Sequence, residues 1–157
     1  MMLGFKKKKA ILAPVNGRII PIEQVADPVF AKKMMGDGFA LIPDGEIISA
    51  CGDGTITMLY PSLHAIGLTM EDGLELLIHI GIDTVNEDGN GFSAFVAQGD
   101  YVHAGDRLVQ FDKEALDTKG YDLSVIVIFT NRESYKEFHV EQGYVTSGLD
   151  AAAHYWQ

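Results

Sequence analysis

The chain has 157 residues, enough for one domain with a real core and too few for two comfortable ones. With 47% apolar residues, 22% charged residues and 17 glycines, the composition is globular and excludes a disordered or fibrous class. A formal net charge of −10 repels nucleic-acid phosphates and anionic lipid while favouring encounter with basic protein partners.

In chain order, Met1 to Lys9 is predicted to be a basic N-terminal tail, followed by a single domain over residues 10–157. The apolar stretch Ala10–Ala13 before Pro14 is too short for a signal-peptide core, and no apolar run nears the ~20 residues that span a bilayer. Cys51 stands alone, which suits a cytoplasmic protein and a buried, inert thiol.

Short alternating or apolar runs, punctuated by Gly, Asp, Asn and Pro at roughly ten-residue intervals, predict an all-β sandwich or barrel. The strand candidates are 18–22, 40–42, 46–50, 54–60, 64–69, 74–81, 107–111 and 125–129. One or two short helical turns are predicted: Val29 to Met35, with Asp27 as cap and Pro28 at the first helical position, and Glu114 to Lys119. Two echoes suggest a duplicated β unit. Ala13-Pro14-Val15-Asn16-Gly17 repeats as Ala50-Cys51-Gly52-Asp53-Gly54, and Gln98-Gly99-Asp100-Tyr101-Val102 as Gln142-Gly143-Tyr144-Val145. The end, 149–157, is expected to be irregular or a short helix.

Two histidines stand out. His79 interrupts the apolar run Leu76-Leu77-Ile78-His79-Ile80, and the turn signal Glu71-Asp72-Gly73 folds the chain so that position 64 comes opposite 79 or 80. The two rings then lie at one height on neighbouring strands, on the same face or on opposite faces according to a register the turn leaves open. His103, His139 and His154 lie in polar or ragged segments without a motif.

The segments Ala13-Pro14-Val15-Asn16-Gly17, Asp27-Pro28-Val29-Phe30-Ala31, Lys33-Met34-Met35-Gly36-Asp37-Gly38, His64-Ala65-Ile66-Gly67, Ile78-His79-Ile80-Gly81-Ile82-Asp83-Thr84-Val85, Gly89-Asn90-Gly91-Phe92 and Gly105-Asp106 closely resemble the glucose-type enzyme IIA domain of the bacterial phosphoenolpyruvate:sugar phosphotransferase system. The match runs in order from about Ala13 to Asn131. The resemblance implies an antiparallel β-sandwich with internally duplicated topology. It also implies a phosphoryl relay that takes phosphate from the histidine phosphocarrier protein HPr and passes it to a cysteine on the IIB domain of a sugar permease, with no metal and no cofactor. By the same resemblance His79 is the phosphoryl acceptor, with its Nδ1-H held by a backbone carbonyl near Gly81. His64 is the second active-site histidine, which donates to the phosphoryl oxygens. Ser62 stands where the family usually has threonine, and it keeps the hydroxyl that orients His64.

Val29, Phe30, Met34, Met35, Tyr60 and Val85 match an apolar collar that docks partners, and Asp27 and Asp83 match acids that meet a partner arginine. The implied location is cytoplasmic, partly at the membrane through the permease. Three other readings compete. A regulatory module that binds protein targets according to phosphorylation state would use the same surface. A lipoyl or biotinyl carrier would need its lysine at a hairpin tip, whereas Lys33-Met34-Met35 falls in a predicted helical turn. A zinc hydrolase would take His64, His79 and Asp83 as ligands, but no His-x-His or His-Glu-x-x-His motif supports it.

Overall fold

The computed structural model describes residues 8–135 and 137–156. Its strands are β1 (Lys8–Leu12), β2 (Gly17–Pro21), β3 (Gly38–Pro43), β4 (Ile47–Ser49), β5 (Gly54–Leu59), β6 (Ala65–Met70), β7 (Glu75–Ile80), β8 (Phe92–Ala94), β9 (Tyr101–Val102), β10 (Arg107–Phe111), β11 (Val125–Phe129), β12 (Glu137–Val140), β13 (Gly143–Val145) and β14 (Ala151–Trp156). Eight form one antiparallel sheet in the order β13-β2-β3-β11-β7-β6-β5-β9. Two three-stranded sheets, β1-β14-β12 and β4-β10-β8, complete an all-β sandwich.

A side-chain period of two divides the large sheet into two apolar faces. Leu76, Ile78 and Ile80 of β7, Val125, Val127 and Phe129 of β11, and Phe39 and Leu41 of β3 enter the main core. There they meet Ile48 of β4, Leu108, Val109 and Phe111 of β10, and Ala152, Ala153 and Tyr155 of β14. The alternate residues Ile20, Ala40, Ile126 and Ile128 build a smaller cluster on the other face, closed by Ile22, Val25 and Phe30. Cys51 is fully buried, and burial pushes its thiol up to about 12, so it packs as a small apolar group.

The echoes in the sequence mark a duplicated frame. Ala13 donates to Asp150 O (2.8 Å) and accepts from Gly148 N (3.0 Å), just as Ala50 donates to Asp106 O (2.8 Å) and accepts from Gly105 N (2.9 Å). The side chains repeat the pattern: Asn16 Oδ1 accepts from Ser147 N and Asp53 Oδ1 from Ala104 N, both at 2.8 Å. Gly17 opens β2 and Gly54 opens β5, and at each the carbonyl of the neighbouring strand stands 2.3 or 2.2 Å from where a Cβ would lie. Only glycine admits that approach, which is why the echo keeps it.

The sequence reading finds eight strands and misses β1, β8, β9, β12, β13 and β14, of which all but β14 sit at sheet edges. The C-terminal expectation is corrected: 151–156 is a strand held between β1 and β12, where sheet pairing overrides the low strand preference of three alanines. Lys8 and Lys9 belong to β1, so the sheet takes two residues of the expected tail, and residues 1–7 of that tail lie outside the described residues. The first helical turn, α1, is also shorter than expected. It covers Pro28–Ala31, with Asp27 accepting from Val29 N, and Lys33 at φ 59° ends it. The second, α2, spans Lys113–Thr118, one residue ahead of the expected turn, because Asp112 caps it through Ala115 N.

Gly17→Ala and Gly54→Ala should each lower stability by roughly 2–4 kcal/mol, since backbone must move to admit a methyl group. Gly99→Ala, where no atom lies within 4 Å but φ is 96°, should cost only about 1 kcal/mol. Urea midpoints compare the three, and equal losses would contradict the close-approach reading.

Candidate active site

The site grows from the register of β7. Direct Cα pairings run Ala65–His79–Ile126–Ala40–Ile20 across β6, β7, β11, β3 and β2, so these five side chains share one face. His79 therefore leaves the main core and stands half-buried on the opposite side, with the Phe30 ring 4.9 Å away between centroids. Its Nδ1 lies 2.7 Å from the Gly81 carbonyl oxygen. A carbonyl only accepts, so Nδ1 carries the proton and the Nε2 lone pair is left for chemistry. Gly81, at φ 75°, makes this geometry possible: a Cβ there would lie 2.6 Å from the Thr84 methyl group and 3.1 Å from Asp122 O.

Position 64 comes opposite Ile80, whose N–H donates to His64 O at 2.7 Å. Ile80 faces the main core, and a regular strand residue opposite it would do the same. His64 does not follow that rule because it precedes β6 and follows a turn. Leu63 N donates to Tyr60 O at 2.8 Å, and Leu63 itself is left-handed at φ 60°. The turn brings the His64 ring to the His79 ring, with centroids 4.9 Å apart and planes at 83°. Ser62 Oγ sits 2.5 Å from His64 Nδ1, fixing the ring, and Tyr60 packs edge-on against it at 5.5 Å.

Burial pushes the His64 imidazole down to about 4, helped by repulsion from His79. Burial also lowers His79, and the Gly81 carbonyl with the Asp27 and Asp83 carboxylates pulls it part of the way back. Both rings are thus neutral near pH 7. A neutral imidazole with a fixed tautomer is a nucleophile at Nε2, and a second ring beside it supplies a hydrogen-bond donor for an anion held between them.

Val29, Met34, Met35, Tyr60 and Val85 are exposed apolar side chains, and of these Tyr60 packs against the His64 ring. Phe30 departs from the expected collar. It is only 5% exposed, a wall of the His79 niche rather than an anchor for a partner, because α1 turns it into the smaller apolar cluster. Asp27 and Asp83 flank His79 closely enough to act on its charge. The zinc arrangement does not form: among the described residues no three His, Cys, Asp or Glu side chains converge as a metal site. Sequence reasoning passed over Leu77 and Met58, which join the same face through Gly67. The period of two, counted back from His79, was the available signal for Leu77. Thr84 was also passed over, and it is fully buried with its hydroxyl donating to Ile80 O.

Residues 9–135 match the family described as phosphoenolpyruvate-dependent sugar phosphotransferase system, EIIA 1. The PTS system glucose-specific EIIA component of Staphylococcus epidermidis is 43% identical over 136 residues, 86% of this chain and 81% of that protein. The component of the same name from Halalkalibacterium halodurans is 45% identical over 133 residues, 84% of this chain and 76% of its relative. The solved structure of glucose permease IIA from Mycoplasma capricolum superposes with a TM-score of 0.88 at 41% identity, covering 98% of this chain and 99% of the other. The chain therefore belongs to the EIIA 1 family and is a phosphotransferase component, a phosphoryl carrier, of the phosphoenolpyruvate-dependent sugar phosphotransferase system.

Proposed function

We propose that residues 10–157 act as one EIIA domain in which His79 accepts a phosphoryl group from HPr and passes it to a cysteine on the IIB part of a sugar permease. The observation that carries this reading is the 2.7 Å contact from His79 Nδ1 to Gly81 O, with the His64 ring 4.9 Å from the His79 ring. In the first step the Nε2 lone pair of His79 forms a bond to phosphorus as the phosphorus–nitrogen bond of the donor breaks. The leaving imidazole keeps that electron pair. In the second step a thiolate of the acceptor takes the phosphorus and the Nε2 lone pair is restored. Alignment and charge stabilisation supply most of the catalysis in such transfers.

In this scheme His64 donates to the phosphoryl oxygens, Ser62 orients it, and Gly81 sets the tautomer of His79. Val29, Met34, Met35, Tyr60 and Val85 dock both partners, and Asp27 and Asp83 meet a partner arginine at the edge of that apolar patch. A Streptococcus pneumoniae relative, named PTS system glucose-specific EIICBA component, is 44% identical over 84% of this chain and supports a permease partner. The relatives named glucose-specific make glucose uptake the first transport reaction to test.

Incubation with phosphoenolpyruvate, enzyme I and HPr should place one acid-labile, alkali-stable phosphoryl group on His79, mapped by mass spectrometry. Acid-resistant label, or label on a serine, would overturn the relay. His79→Gln should abolish acceptance while the domain stays folded. His64→Gln should still accept from HPr yet pass the group on roughly tenfold or more slowly, since a donor to the phosphoryl oxygens is altered.

Stability should also depend on pH through these rings. The unfolded chain protonates His64 near 6.5, the folded chain only near 4, so stability falls as pH drops through that window, and lowered His79 acts in the same direction. His64→Gln should flatten the decline, and parallel curves for the two proteins in urea titrations would refute this assignment.

For docking, Asp27→Asn keeps a helix cap, so its effect isolates charge. It and Asp83→Asn should slow HPr association roughly two- to tenfold at low salt and weaken the salt dependence. Val85→Glu should instead raise dissociation, roughly tenfold, by charging a desolvated contact. Stopped-flow binding separates the two effects, and unchanged association of both aspartate variants would remove the acids from the interface.

A further inference from the structure

The peptide groups on either side of Gly81 are held at both ends. In the first, Ile80 O accepts from the Thr84 hydroxyl and Gly81 N donates to Ser124 O at 2.9 Å. In the second, Ile82 N donates to Asp122 O at 2.9 Å and Gly81 O accepts from His79 Nδ1 at 2.7 Å. Apart from the bond to the ring itself, two of these anchors are backbone to backbone and the remaining one is the Thr84 hydroxyl. Thr84 reaches Ile80 O from the first residue of the 3₁₀ turn Thr84–Glu87, which the left-handed Asp83 (φ 62°) folds back over the end of β7. The side chain is fully buried, and its methyl group stands on the empty side of Gly81, 2.6 Å from where a Cβ would lie.

We propose that Thr84 is a positioning residue for phosphoryl transfer: its hydroxyl and methyl group fix the Gly81 peptide so that the Gly81 carbonyl holds the Nδ1 proton of His79 and leaves Nε2 as the nucleophile. The chain of polarised groups runs from Asp122 O through the Ile82 N–H and Gly81 carbonyl to the ring. It strengthens the final bond only while the peptide plane stays aligned. The inference rests on the reading of His79 as the acceptor, and its test includes a readout that needs no phosphate.

The test compares Thr84→Val, which keeps the shape and removes the hydroxyl, with Thr84→Ser, which keeps the hydroxyl. Ring ¹⁵N shifts report the His79 tautomer, and steady-state transfer from HPr reports kcat and KM. Thr84→Val should populate the Nε2-H tautomer and lower kcat roughly tenfold or more with KM for HPr unchanged, because a misaligned attacking atom costs rate rather than binding. Thr84→Ser should restore the wild-type tautomer and most of the rate. Should Thr84→Val fail to fold, Thr84→Ala replaces it in the same comparison with serine. An unchanged tautomer and kcat in the hydroxyl-free variant overturns the proposal, and so does equal loss of rate in both variants. A phosphoryl group mapped elsewhere than His79 would instead remove the underlying reading, whatever the tautomer.

Discussion

The antiparallel register of β7 between β6 and β11 is the constraint on which the rest of this molecule depends. Because successive side chains alternate between faces, Leu76, Ile78 and Ile80 can enter the main core only if His79 leaves it. A slip of one residue would bury the imidazole among aliphatic side chains and expose three core residues, so the driving force that closes the sandwich also aims the ring. Ala65 and Ala40, on the same row, are buried and carry only methyl groups, and the His64 and His79 rings meet with centroids 4.9 Å apart.

Duplication supplies the frame and breaks it at one point. The strand order reads outward from the central pair β11 and β7 to β3 and β6, then β2 and β5, then β13 and β9, so each strand has a counterpart. Across the ladders from Gly17 and Gly54, Pro43 pairs as Met70 does, and Gly38 and Ala65 lie five residues earlier in the chain than these partners. Gly38 pairs with Ile128 and Ala65 with His79. The place of His79 in the other half thus holds Ile128, a fully buried aliphatic residue. The same backbone geometry therefore buries an aliphatic side chain in one half and presents an imidazole in the other, and the difference lies in the side chains and in the turns that carry His64 and Thr84.

Electrostatics at the site works by opposition. Burial favours neutral rings, which keeps His79 nucleophilic, while Asp27, Asp83 and the Gly81 carbonyl restrain how far that shift goes. On the proposed reading His64, held neutral by burial and by the neighbouring His79, donates through its N–H rather than through a full charge.

The sequence alone carries the fold class, the duplicated turns, eight of the fourteen described strands and the two histidines. Alternation, glycine turns and family-like spacing are local signals, and they survive in any sequence that folds this way. It also placed His64 opposite Ile80 to within one residue. It did not determine that both rings share a side, because that follows from a left-handed Leu63 and an irregular start to β6 rather than from strand parity. Nor did it reveal that Phe30 is a buried wall, that 151–156 is a strand, or that Thr84 reaches Ile80 O. Those outcomes depend on which distant segments press together, Ala151 to Trp156 between β1 and β12, Phe30 against His79, and the turn after β7 against β11, and only tertiary packing decides such contacts.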